Sequence, residues 1–280
     1  MSCAQSEEGF VEIDGAKLHY KSEGSGPALL LVHAANVDLR MWDEVAAALS
    51  SRYRVIRFDM RGMGGSEMGT GSYTAHGDIE RILDALRAES CALLGVSAGG
   101  YCALEFTLRY PRRVWGLVLV SAGLFESDIA ESDEYRRLAG ELGAAIASGD
   151  LGAMAESYAR MWLDGPVQPR SRVRPETRRR FLTMARDAFA RRADYRFPDL
   201  LPKAEERLHE IACPTLAVNG ELDLPELRLF AELFAREIPG AKRIEMPGVA
   251  HLPPFEQPEE FGRLVGDFLD GLELRGARTE

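Results

Sequence analysis

Ser97 stands in the stretch GVSAGG, at the end of an apolar run and just ahead of a helix-like segment. A serine hydroxyl is a weak nucleophile until a base takes its proton. An imidazole held by a carboxylate can be that base, and later loops of the chain offer both groups. Asp223, in NGELD, follows the apolar run 215–219; His251, in GVAHLPP, follows the run 242–246. Serine, acid and histidine in that order are the parts of acyl transfer, in which the hydroxyl attacks a carbonyl and the imidazole moves the proton.

These groups can meet only if the chain carries them to one place. Short apolar runs at 28–32 (ALLLV), 54–59 (RVIRFD), 91–95 (CALLG), 114–120 and 215–219 read as buried parallel strands, with a weaker one at 242–246. Residues 10–13 and 17–20 flank Asp14-Gly15 as a hairpin. Ile79, Ile82, Leu83 and Leu86 recur at helical spacing, as do Phe261, Leu264, Val265, Phe268 and Leu269 after Pro258. Alternating strand and helix predicts a parallel α/β sheet entered through an antiparallel hairpin. Ser97, Asp223 and His251 then all fall at the carboxyl ends of strands, the edge at which open α/β sheets bind ligands. A strand running straight into a helix needs small neighbours around the turn, and Gly95 and Gly99 supply them. A helix starting at Ala98 aims its free N–H groups at the same spot.

Alternation stops after Val120. Residues 126–200 show helical stripes only, Tyr135, Leu138, Leu142 and Ile146 in one and Phe181, Leu182, Ala185 and Phe189 in another. A helical insertion in an α/β domain is the simplest reading. It is lopsided in charge: ten arginines lie between Arg170 and Arg196, and six acids between Glu126 and Glu141. Either the two stretches pair across the insertion, or the arginines draw in an anionic substrate.

At 280 residues and 46 % hydrophobic content, the chain is long enough to bury a large core without staples. A net charge of −10 argues against nucleic acid and anionic membranes as partners. Cys3, Cys91, Cys102 and Cys213 have no metal or CxxC spacing and read as reduced thiols. Cys102, inside a helix one turn past Ser97, reads as packing. The N-terminus lacks a basic start and an apolar core, and the apolar run 115–120 is too short to span a bilayer, so a soluble, cytoplasmic protein is expected.

Four stretches in register carry a resemblance. VHAANVDLRMW holds His33 and Trp42; DMRGMGGS spans 59–66; GVSAGG and GVAHLPPFEQPEEF follow. From about Gly9 to Leu269 the chain resembles serine hydrolases of the α/β-hydrolase fold, esterases and enol-lactonases with a helical cap. The resemblance implies an α/β fold with a mostly parallel eight-stranded sheet flanked by helices. The core would be 9–125 and 201–272, and the cap 126–200. It implies a Ser97–His251–Asp223 triad and an oxyanion hole made by the N–H groups of Ala35 and Ala98. Glu126 and Asp128 are the reserve candidates for the acid. His33 would fix the oxyanion loop, and Asp59 and Arg61 would brace a loop by ion pairing. Leu124, Phe125, Met161, Trp162, Leu252 and Pro253 are the candidate pocket liners. The implied reaction is hydrolysis of a small-molecule ester, lactone or related carbonyl compound, without cofactor or metal. C–C bond hydrolysis of ring-fission diketones and non-hydrolytic ligand binding are the rival readings. One departure is Ala34, where the family usually has glycine.

Overall fold

A computed structural model describes residues 6–276; Cys3 lies outside them. The strands are β1 (Ser6–Ile13), β2 (Ala16–Glu23), β3 (Ala28–Val32), β4 (Arg54–Phe58), β5 (Cys91–Val96), β6 (Val114–Val120), β7 (Thr215–Gly220) and β8 (Lys242–Met246). They form one eight-stranded sheet in the order β1-β2-β4-β3-β5-β6-β7-β8. β1 pairs antiparallel with β2, and β2 with β4; every other pairing is parallel. The eight-stranded, mostly parallel α/β sheet expected from the sequence is present.

Helices cover both faces. They are α1 (Asp43–Leu49), α2 (Ala75–Ala85), α3 (Ala98–Arg109), α4 (Asp133–Ser148), α5 (Leu151–Ala159), α6 (Pro175–Ala190), α7 (Pro225–Glu237), α8 (Pro253–Glu256) and α9 (Pro258–Gly276). Successive side chains of a strand point to opposite faces, so the fully apolar runs split in two. Leu29 and Leu31 of β3 pack with Val45 of α1 and Phe261 of α9. Leu30 and Val32 pack with Ile79 of α2, Phe106 of α3 and Phe234 of α7. Each such buried side chain contributes roughly 1.5–3 kcal/mol of hydrophobic free energy. Among the described residues no helix is long and apolar enough to cross a membrane.

Between β6 and β7 lie α4, α5 and α6, with no strand. Ser132 caps α4 by accepting the Tyr135 N–H, and Asp150 caps α5 by accepting those of Gly152 and Ala153. The arginines here do not pair with the 126–141 acids. Asp133 and Glu141 bind Arg136 and Arg137 of their own helix. The arginines lie instead on α6 and its flanking turns, over α5 and the core. Arg178 bridges Glu156 (2.8 Å) and Asp164 (2.9 Å). Arg180 reaches Glu44 (2.6 Å), Arg172 reaches Glu256 (2.6 Å), and Arg191 and Arg196 donate to carbonyls of Gly64, Gly69 and Thr70. They fasten the insertion to the core.

The 59–66 loop is braced by two separate pairs, not by Asp59 and Arg61 binding each other. Arg61 lies against Asp78 at 2.8 Å, both buried. Asp59 accepts the N–H groups of Leu39 (2.7 Å) and Gly65 (2.8 Å) and faces His19 Nδ1 at 2.8 Å. His19 Nε2 faces Glu8 at 2.9 Å. Both ring nitrogens meet carboxylates, which only accept, so His19 is an imidazolium. The Asp59 hydrogen bond outweighs desolvation and, with Glu8, raises the His19 pKa above 6.5. Burial opposes the Asp59 charge, yet these hydrogen bonds hold its carboxyl below 3.8. The His19 contribution is therefore complete below pH 6.5 and is lost as pH rises through the raised folded value. Urea unfolding from pH 6 to 9 is expected to show stability falling in that window, with a flatter profile for His19→Gln. Parallel profiles would mean that the ring carries no charge in the native state.

Candidate active site

Ser97 is the single residue between β5 and α3. Its N–H donates to Val120 O (2.9 Å) and its carbonyl accepts from Tyr101 N (3.1 Å), so the turn is tied to β6 behind and α3 ahead. Its backbone lies at φ 54°, ψ −119°, a region that L-residues rarely occupy. The crowding explains the small neighbours. A Cβ on Gly95 would strike the Gly99 carbonyl, and one on Gly99 would strike the carbonyls of Val32 and His33.

Asp223 follows β7 and His251 follows β8, on the same sheet edge. Both are almost fully buried, at 6 % and 2 % exposure. His251 Nδ1 lies 3.0 Å from each Asp223 oxygen. A carboxylate only accepts, so Nδ1 carries the proton and Nε2 the lone pair. That Nε2 is buried and has no hydrogen-bond partner. The ring packs 4.4 Å from Trp162, which lies on a π-helical turn, Arg160–Asp164, extending α5. Glu256 of α8 fixes the loop by accepting the N–H groups on either side of the histidine, those of Ala250 and Leu252. Glu126 and Asp128, the reserve acids, are both exposed, and the carboxylate on His251 is that of Asp223.

The loop after β3 lies beside Ser97. His33 Nε2 accepts the Met60 N–H at 2.9 Å, so its Nδ1 is protonated and donates to Ala34 O at 2.7 Å. Its two nitrogens are thus spent on holding the loop. The Ala34 methyl is buried in the core with Val37 and Met41, not in a cavity. Tyr158 of α5 donates to Ala35 O at 2.7 Å, so the insertion helps to set the loop after β3. Ala98 opens α3, and its N–H has no intrahelical acceptor. Burial pushes the Cys102 thiol up, so it stays protonated.

The alpha/beta hydrolase family model matches residues 29–264. This chain belongs to the alpha/beta hydrolase family. It is 26 % identical over 253 residues to 3-oxoadipate enol-lactonase 1 of Acinetobacter baylyi, covering 89 % of this chain and 91 % of that one. It is 27 % identical over 252 residues to the pimeloyl-[acyl-carrier protein] methyl ester esterase of Aeromonas hydrophila, covering 88 % and 96 %. The crystal structure of carboxylesterase CesB (YbfK) from Bacillus subtilis superposes with a TM-score of 0.76 at 26 % identity, covering 95 % of this chain and 92 % of that one. Esterases and enol-lactonases are therefore its relatives within the alpha/beta hydrolases.

Two cavities adjoin the elbow of this hydrolase. One, of about 460 Å³, is lined by Ser97, Ala98, Tyr101, Leu124, Phe125 and Trp162, among others. The other, of about 80 Å³, is apolar and shares Ala98, Tyr101 and Phe125, adding Ala35. Of the expected liners, Leu124, Phe125 and Trp162 face these spaces. Met161, Leu252 and Pro253 are buried in the core and line neither. Met161 precedes Trp162 on the same turn and points the other way. The sequence reading missed Tyr101, Glu226 and Phe230; the spacing of Tyr101, four residues after Ser97 on α3, could have found it, whereas Glu226 and Phe230, from α7, carried no signal.

Strain at Ser97 has a measurable consequence. A non-glycine residue in such a region costs on the order of 1–3 kcal/mol, and glycine's greater unfolded entropy costs about 0.5–1 kcal/mol. Ser97→Gly is thus expected to be more stable than Ser97→Ala by about 1 kcal/mol in urea unfolding. Equal or reversed stabilities would show a relaxed turn.

Proposed function

We propose that this hydrolase cleaves a carboxylic ester or lactone with Ser97 as nucleophile, His251 as general base and Asp223 as the acid that orients it. The observation that carries this reading is the state of His251. Its Nδ1 is committed to Asp223, its Nε2 is buried without a hydrogen-bond partner among the described residues, and its ring packs on Trp162, which lines the same cavity as Ser97.

Nε2 takes the Ser97 proton as Oγ attacks the carbonyl carbon, and Asp223 stabilises the imidazolium that forms. The oxyanion is held by the N–H groups of Ala35 and Ala98, the latter at the positive end of the twelve-residue α3. His251 gives its proton to the leaving alkoxide. Water, deprotonated by the same Nε2, then cleaves the acyl-enzyme. The insertion over 126–200 acts as the cap, supplying Trp162 to the cavity and Tyr158 to the oxyanion loop.

Intact mass after fluorophosphonate treatment, with turnover of p-nitrophenyl butyrate, tests the scheme. One adduct is expected on the native protein and none on Ser97→Ala. The kcat should fall about 10⁵-fold in Ser97→Ala and about 10⁴-fold in Asp223→Asn. A fully active Ser97→Ala would sink the assignment.

A further inference from the structure

The cavity that Ser97 lines contains an unpaired acid. Glu226 is the second residue of α7, after Pro225, and is only 6 % exposed. Both of its carboxylate oxygens are buried and accept no hydrogen bond among the described residues. Burying a carboxylate without a partner is costly. The positive end of α7 offsets part of that cost and leaves the oxygens without donors.

Among the described residues no cationic side chain around the cavity compensates the charge. Glu126 and Glu131 line it as well, and no arginine, lysine or histidine does. The cations of the neighbouring helices are committed elsewhere: Arg228 to Glu245 at 2.9 Å, Arg137 to Glu141 at 2.6 Å and Arg136 to Asp133 at 2.5 Å. The remaining wall is mostly apolar, with Trp162, Tyr135 and Phe230 among aliphatic Leu124, Ile129 and Leu227. Trp162 and Tyr135 meet edge to face with ring centroids 6.4 Å apart. Burial, and then the nearness of Glu131 and Glu226, pushes the Tyr135 phenol up.

A cavity of this kind repels an acid. It offers a cation a counter-charge at Glu226 and ring faces for desolvated contact. None of the arginines that suggested an anionic substrate lines this cavity, and Arg172, Arg180, Arg191 and Arg196 reach the core instead. We infer that Glu226 is the counter-ion for an alkylammonium group carried by the substrate, with Trp162, Tyr135 and Phe230 packing around it. The inference rests on the hydrolase reading for its substrate class, an ester or lactone bearing a positive charge.

The test uses two esters of matched shape, 2-(trimethylammonio)ethyl butyrate and its carbon isostere 3,3-dimethylbutyl butyrate. The native protein is expected to favour the cationic ester at least tenfold in kcat/KM. Glu226→Gln should bring that ratio close to one, and salt should weaken the native preference. A second measurement needs no turnover. Benzyltrimethylammonium chloride should raise the melting temperature of the native protein and of Ser97→Ala, and not that of Glu226→Gln. Glu226→Gln should itself melt above the native protein, because it removes an unpaired buried charge. Ser97-dependent cleavage with no charge preference, or a ratio unchanged in Glu226→Gln, overturns the subsite and leaves the hydrolase standing. Benzyltrimethylammonium stabilisation that depends on Glu226, in a protein that cleaves no ester, keeps the subsite and removes the hydrolase reading.

Discussion

The near-contact of backbones where β5 becomes α3 is the constraint on which the rest depends. With glycine at 95 and 99, the end of β5, the start of α3 and the carbonyls of Val32 and His33 come within a distance that no Cβ could share. The turn at Ser97 and the loop after β3 are therefore one packed object, and their relative placement does not rely on side chains. The far half of the site uses the same device. A Cβ on Gly220, at the end of β7, would strike the carbonyls of Val249 and Ala250. That contact sets the acid's loop against the histidine's. Strain at Ser97 is the local cost of such close approach.

Polar contacts then fasten the insertion to what the glycines align. Tyr158 holds the carbonyl of Ala35. Arg172 donates to Gly248 O at 2.9 Å and pairs with Glu256, whose oxygens hold the backbone on both sides of His251. Arg180 and Arg178 tie α6 to the core and to α5. The insertion therefore reaches the loop after β3 through the half-buried bond to Ala35 and the loop of His251 through the largely buried Arg172–Glu256 pair. These are stronger than exposed surface pairs, which are worth at most about 1 kcal/mol each.

The sheet was legible because parallel strands buried on both faces read as unbroken apolar runs, as 28–32 and 91–95 do. Ser97 and His251 were legible because crowding forces glycine and alanine around one, and a strand end sets the other's loop. The cavity was not. Whether Trp162 or Met161 faces it depends on a π-helical turn, which shifts side chains out of the 3.6-residue pattern that sequence reading uses. Glu226 gave no signal, since an acid in a first helical turn is ordinary; only its burial and lack of partners set it apart. The arginine-rich stretch was visible and its partners were not, because charge counting cannot see that the arginines reach carbonyls and acids of distant loops. Hence the expected pairing with the 126–141 acids is not what the structure shows.

The pairing of Arg172 with Glu256 bears on how members of this family could exchange parts. Burial pushes the Glu256 carboxyl up, against the pull of Arg172 and of the N–H groups it accepts. A helical segment grafted here from another member, without an arginine at this place, would strand a buried acid beside the histidine's own backbone. The graft could fold well and still leave the histidine loop loose. New substrate range in this chain is therefore more accessible through single side chains on the inner wall of the insertion than through replacement of the insertion as a module.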